Sequence, residues 1–183
     1  MKYRLYNDLE KFLKSITIED KPIIGHVGIW NEQVENLKSI RPFKLPAVFI
    51  EFLPCAWGQL GNGAKQADIM IRLHIITATL AAEDTKYRDS ALFRFELIRN
   101  IADSLCNIGG AEDERGTSYT RFQYLESLTD HNYNQIIEDI EGFRTHCVMK
   151  QMYDEKHQWI WTKTNVSLDL GDIFADPFSD AMC

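Results

Sequence analysis

The chain has 183 residues, 45% of them hydrophobic and 26% charged, the makeup of one globular domain large enough to bury a core without disulfide or metal staples. Its formal net charge of −7 lacks the basic patch that a grip on phosphate backbones needs, so specific nucleic-acid binding is not expected. The most apolar stretch, residues 69–82, is broken by Arg72 and His74, and no window reaches the roughly 18 to 20 apolar residues of a membrane span. Arg4, Asp8, Glu10 and Lys11 interrupt any signal-peptide pattern, so a cytoplasmic chain with no membrane partner is expected.

In chain order, Tyr3, Tyr6, Leu9, Phe12, Leu13 and Ile16 recur at three- and four-residue spacing, which predicts an amphipathic helix over 2–16. Pro22 and Gly25 end it, and residues 23–30 read as a strand. Residues 46–53 are apolar on both faces apart from Glu51, the mark of a central strand covered on both sides. Gly58, Gly61, Asn62 and Gly63 then predict a hairpin turn. Over 67–81 the odd positions Ile69, Ile71, Leu73 and Ile75 are apolar, while Asp68, Arg72 and His74 lie on a wetter face, with His74 expected at the surface.

Helical spacing returns over 86–106, with Asp84 or Thr85 as the cap and Gly109-Gly110 beyond the end. Strands are predicted at 117–128, 137–153 and 159–168, the second being longer than the common strand of about 5 to 6 residues. Phe49, Ile71, Phe95 and Ile98 are the expected core. No repeat or linker divides residues 1–168. The fold expected is therefore a single α+β domain, its largely antiparallel, mixed sheet packed by the N-terminal helix and the long helix near 86–106. Residues 169–183 carry Asp169, Asp172, Asp176 and Asp180 without a Lys or Arg and read as an acidic C-terminal tail.

Motifs of catalysis are weak. Gly58 and Gly63 have P-loop spacing, but Ala64 stands where that loop requires Lys, and an alternating strand follows where it requires a helix. His26, His74, His131, His146 and His157 contain no i, i+4 pair, and Cys55, Cys106, Cys147 and Cys183 no close pair, so neither a metal nor a cofactor is expected and the thiols read as free. Asp68 followed by Asp84 and Lys86 has the makings of a metal-dependent nuclease, in which two acids hold the ion and the Lys helps activate water, although Asp84 or Thr85 also serves as a helix cap. Glu138, Asp139 and Glu141 read as a solvated acidic edge. A small-molecule-binding α+β domain is a further alternative, requiring an enclosed apolar pocket with a few inward polar groups. Trp159 and Trp161, at i, i+2, share one strand face, and with Phe143, Met149 and Tyr153 on the long strand they form the candidate interface.

The order of elements, with GHVGIWNEQ at 25–33, PAVFIEF at 46–52, QADIMIRLHIIT at 66–77, one long helix and closing strands, resembles the tail terminator or tail completion proteins of tailed bacteriophages and prophages. The specific points are Gln33, Pro46 and Glu51, and the resemblance covers roughly residues 1–168. It implies a structural protein without enzymatic activity, whose subunits close into a ring, typically a hexamer. That ring caps the tail tube, stops its polymerisation and offers a docking surface for the head. The implied partners are other copies of the chain, the tail tube protein and the head-tail connector. The implied location is the bacterial host cytoplasm during assembly and then the virion tail.

Overall fold

The computed structural model describes residues 1–18, 21–31, 43–78, 85–130 and 136–150, with the backbone alone for 85–88 and 90. All of them belong to one compact unit, Met1–Gln151. The fold is α+β. Helix α1 (Lys2–Ser15) is followed by a two-stranded ribbon, β1 (Thr17–Ile18) and β2 (Lys21–Pro22). The main sheet contains β3 (His26–Ile29), β4 (Ala47–Phe52), β5 (Gly58–Gln59), β6 (Lys65–Ala78), β7 (Thr117–Tyr119), β8 (Gln123–Asp130) and β9 (Ile136–Met149), with helix α2 (Thr85–Leu105) between β6 and β7. Its order is β3-β4-β6-β9-β7, with β5 also on β6 and β8 also on β9. Every pairing is antiparallel except β3 with β4, which makes the sheet mixed as expected.

Both helices cover the same face. On α1, Leu5, Leu9 and Leu13 recur every four residues and are fully buried, so one stripe of the helix lies against the sheet. On α2, Leu97, Ile101 and Leu105 do the same. They meet Val48 and Ile50 of β4, Ile69, Ile71, Leu73 and Ile75 of β6, and Phe143 and Cys147 of β9. Each such side chain contributes about 1.5 to 3 kcal/mol by leaving water, so this layer dominates the stability. Among the described residues, the opposite face carries a small apolar cluster of Ala47, Phe49, Ile76 and Ile136, flanked by Trp30, Phe43 and Leu45.

Polar clamps fix α1. The Arg4 guanidinium donates to the carbonyls of Thr117 and Ala111 and lies 5.4 Å from the Tyr119 ring, whose hydroxyl donates to Asp8 at 2.9 Å. Burial and the Asp8 carboxylate both raise the Tyr119 pKa, keeping the phenol protonated in this role. Gly110 makes the close fit possible, because a Cβ there would stand 2.1 Å from the Tyr119 ring. The predicted hairpin forms at Asn62 and Gly63, whose φ values of 62° and 74° are the left-handed geometry that Asn and Gly tolerate.

Candidate assembly surface

Among the described residues the sheet ends in β8, beside the long strand expected at 137–153. Strand β9 is interior: all fourteen of its residues pair with β6, while β7 and β8 occupy its other side. Its length is satisfied by a neighbour of equal length. Strand β8, with eight residues, exposes the side chains of Gln123 to Thr129 on both faces. Tyr124, Leu125 and Leu128 are 45%, 47% and 52% exposed. The backbone groups of Gln123–Thr129 turned away from β9 have no hydrogen-bond partner among the described residues. Edge strands are commonly blunted by shortness, by Lys or by Pro, and β8 has none of these, only one irregularity between Tyr124 and Glu126. The charge of Glu126 is offset by Arg72 at 3.1 Å, and the neutral Gln123 accepts from Arg144 at 2.7 Å.

Helix α2 adds apolar surface. Phe95, expected in the core, is 54% exposed, with Leu92 at 52% and Phe93 at 37%. The reason is angular: Leu97, Ile101 and Leu105 set the buried line, and a residue two positions from Leu97 is about 200° around the helix from it. Ile98 is half-buried against the core, and Phe49 and Ile71 are buried as expected. Arg94 lies with its guanidinium 4.9 Å from the Phe95 ring and 3.4 Å from Asp139.

Of the interface residues read from the sequence, Phe143 is wholly buried against Tyr124 and the core, which removes it from any surface. It lies on the helix-covered side of β9, opposite Ile71. Met149 is half-buried at the end of β9. Tyr153, Trp159 and Trp161 lie outside the described residues, as does the tail expected at 169–183. The acidic cluster is a correction too: Glu138, Asp139 and Glu141 are all buried. Alternation sends Asp139 and Glu141 to the helix side and Glu138 to the other. Thr129 donates to Asp139 at 2.8 Å, while Ser127, at 2.8 Å, and Tyr124 donate to Glu141. Burial raises the Glu141 pKa in spite of these donors.

His74, expected at the surface, is buried between two carboxylates. Its Nδ1 is 2.6 Å from Glu138 and its Nε2 is 3.2 Å from Glu51, and its ring stacks on Trp30 at 3.8 Å. An i, i+2 alternation cannot reveal this, because the partners come from β4 and β9. The nuclease residues do not form a described cluster: Asp68 pairs with His146 at 2.8 Å on the exposed part of the sheet, Asp84 lies outside the described residues, and so does the Lys86 side chain. No group of three or more potential metal ligands occurs among the described residues. Cys55, Cys106 and Cys147 are free thiols, and burial pushes the Cys147 thiol up to about 12. No helix among the described residues is long and apolar enough to cross a membrane.

No protein-family model matches the chain, and no curated protein does.

Proposed function

We propose that the chain is a structural subunit of the tail-terminator type, which closes into a ring at the end of a phage tail tube, stops its growth and presents a surface to the head connector. The observation that supports this reading is β8, a sheet edge among the described residues with three exposed large apolar side chains, Tyr124, Leu125 and Leu128. An edge of this kind supplies main-chain hydrogen bonds to any strand laid beside it and is a recurring mode of protein association. The exposed Leu92, Phe93 and Phe95 of α2 supply a second apolar surface. A ring closes when each copy offers two different surfaces that fit head to tail, so the two together meet its minimum requirement.

The reading is tested by pelleting preassembled tail tubes of the phage that encodes the chain, with and without the purified protein. Co-pelleting that saturates at a small number of copies per tube end supports a cap. Protein that stays in the supernatant at every concentration overturns the reading. A parallel incubation with DNA and a divalent metal settles the nuclease alternative: cleavage abolished by Asp84→Ala replaces the structural role with a catalytic one.

A further inference from the structure

Strand β8 turns three hydroxyl side chains to the helix-covered side of the sheet. Tyr124, Ser127 and Thr129 stand opposite Phe143, Glu141 and Asp139 of β9. Ser127, at 2.8 Å, and Tyr124 donate to Glu141, and Thr129 donates to Asp139 at 2.8 Å, so the hydroxyls of the edge strand close on two carboxylates of its neighbour. Both carboxylates are shut off from water, Glu141 being 0% and Asp139 1% exposed.

The two differ in compensation. Arg94 of α2 stands 3.4 Å from Asp139, whereas no cation pairs with Glu141 among the described residues. The groups that face Glu141 are Tyr124 and Ser127 from β8, Asp139 from its own strand and, from β6, the apolar Leu73 opposite it. Cys106, just past α2, acts on Tyr124, and the pair of Glu126 with Arg72 lies on the other face of the sheet. Hydroxyl donors favour an ionised carboxylate, and burial without a cation disfavours it. Burial prevails at Glu141, the Asp139 charge adds to it, and the pKa is raised. Because the closed state then holds the proton more tightly than a hydrated one would, opening becomes easier as pH rises.

The element that can open is β8. On its other side Glu141 is closed off by β6, which pairs with β9 along its whole length, and α2 is tied down by the buried line of Leu97, Ile101 and Leu105. Strand β8 pairs with β9 alone among the described residues and keeps the side chains of Gln123 to Thr129 exposed. We propose that β8 is a proton-controlled edge strand: with Glu141 protonated it stays clasped to β9, and with Glu141 ionised it opens from β9, so that the edge offered to a partner changes from β8 to the outer side of β9. The device stands on the β8–β9 geometry and holds whether or not the chain caps tail tubes.

The test is amide hydrogen exchange of the full chain, followed residue by residue by NMR from pH 5 to pH 8 and expressed as protection factors, which remove the intrinsic pH dependence of exchange. The amides bonded between β8 and β9 should lose protection by about threefold or more over this range, while those of the β4–β6 ladder and of α2 change by less than about twofold. Glu141→Gln keeps an acceptor of the same size but cannot ionise, and should abolish the loss. Tyr124→Phe keeps the ring against Phe143, 5.3 Å between centroids, and removes a donor that favours the ionised form. It should widen the loss by about twofold or more, and it carries the test if Glu141→Gln folds poorly. Wild-type protection that is flat with pH, a loss that persists in Glu141→Gln, a loss shared equally by the β4–β6 ladder or α2, or a loss not widened in Tyr124→Phe would each overturn the proposal.

Discussion

Single residues here are governed by partners distant in sequence. His74 makes no sense as a surface residue once Glu51 and Glu138 are beside it, and breaking a buried pair leaves a charge without compensation. His74→Ala should therefore destabilise the fold by about 3 to 5 kcal/mol in urea denaturation, against about 1 kcal/mol or less for Glu126→Ala, whose pairing with Arg72 is exposed. Equal effects would mean that the buried cluster is not a structural unit. Glu141 gives a pH signature. Its folded pKa is raised above the unfolded value by burial, so its contribution is fully present below the unfolded pKa and is lost as pH rises through the folded one. Asp113 has the opposite sign: burial, the largest single influence, pushes up, but backbone donors from Thr117 and Arg115 together with Arg4 outweigh it and hold the pKa low. Its stabilisation is present above the ordinary carboxylate range and fades as pH falls. Comparing wild type with Glu141→Gln from pH 4 to 7 should show the variant gaining relative stability as pH rises; a constant difference would contradict the assignment to Glu141. The roles of His74 and Glu141 were not legible in the sequence, because cross-strand register selects their partners and one chain does not reveal register.

Elements were far more legible. The spacing of Tyr3, Tyr6, Leu9, Phe12, Leu13 and Ile16 gave the extent of α1, although its buried line runs through Leu5, Leu9 and Leu13 and leaves Tyr3 exposed; the Asn62-Gly63 turn gave the hairpin, and the doubly apolar PAVFIEF gave an interior strand. Which strand forms the edge was not legible. Long strands look like edges when counted alone, but β6 and β9 cover each other over their full length, and the exposed position falls to the shorter, more polar β8. Phe95 failed for a related reason, since apolar residues on α2 occupy more of the helix circumference than one sheet contact can bury. The edge assignment makes a specific prediction. Leu128→Lys, at a residue 52% exposed, should change folding stability by no more than about 0.5 kcal/mol while placing a charge in the path of an incoming strand. Loss of tube pelleting by this variant, with an unchanged denaturation curve, is the expected outcome. Undiminished pelleting would take β8 out of the contact.

At the scale of the whole molecule, both described helices lie on one face of the sheet, and among the described residues β8 forms one of its edges. On the proposed reading, the exposed apolar residues of α2 and the β8 edge are the two surfaces a repeated contact would use. The net charge of −7 also suits a channel wall that must let DNA pass without holding it. Concentration alone is a poor guide, because a subunit whose contacts are completed by the tube can be monomeric in dilute solution. The direct measurement is the length distribution of tail tubes polymerised in the presence of the chain, imaged by electron microscopy with Leu128→Lys as the control. Wild type should shorten the tubes in proportion to its concentration and leave extra density at one end, and Leu128→Lys should do neither. Tubes of unchanged length with bare ends, at wild-type protein in excess over tube ends, would contradict the account.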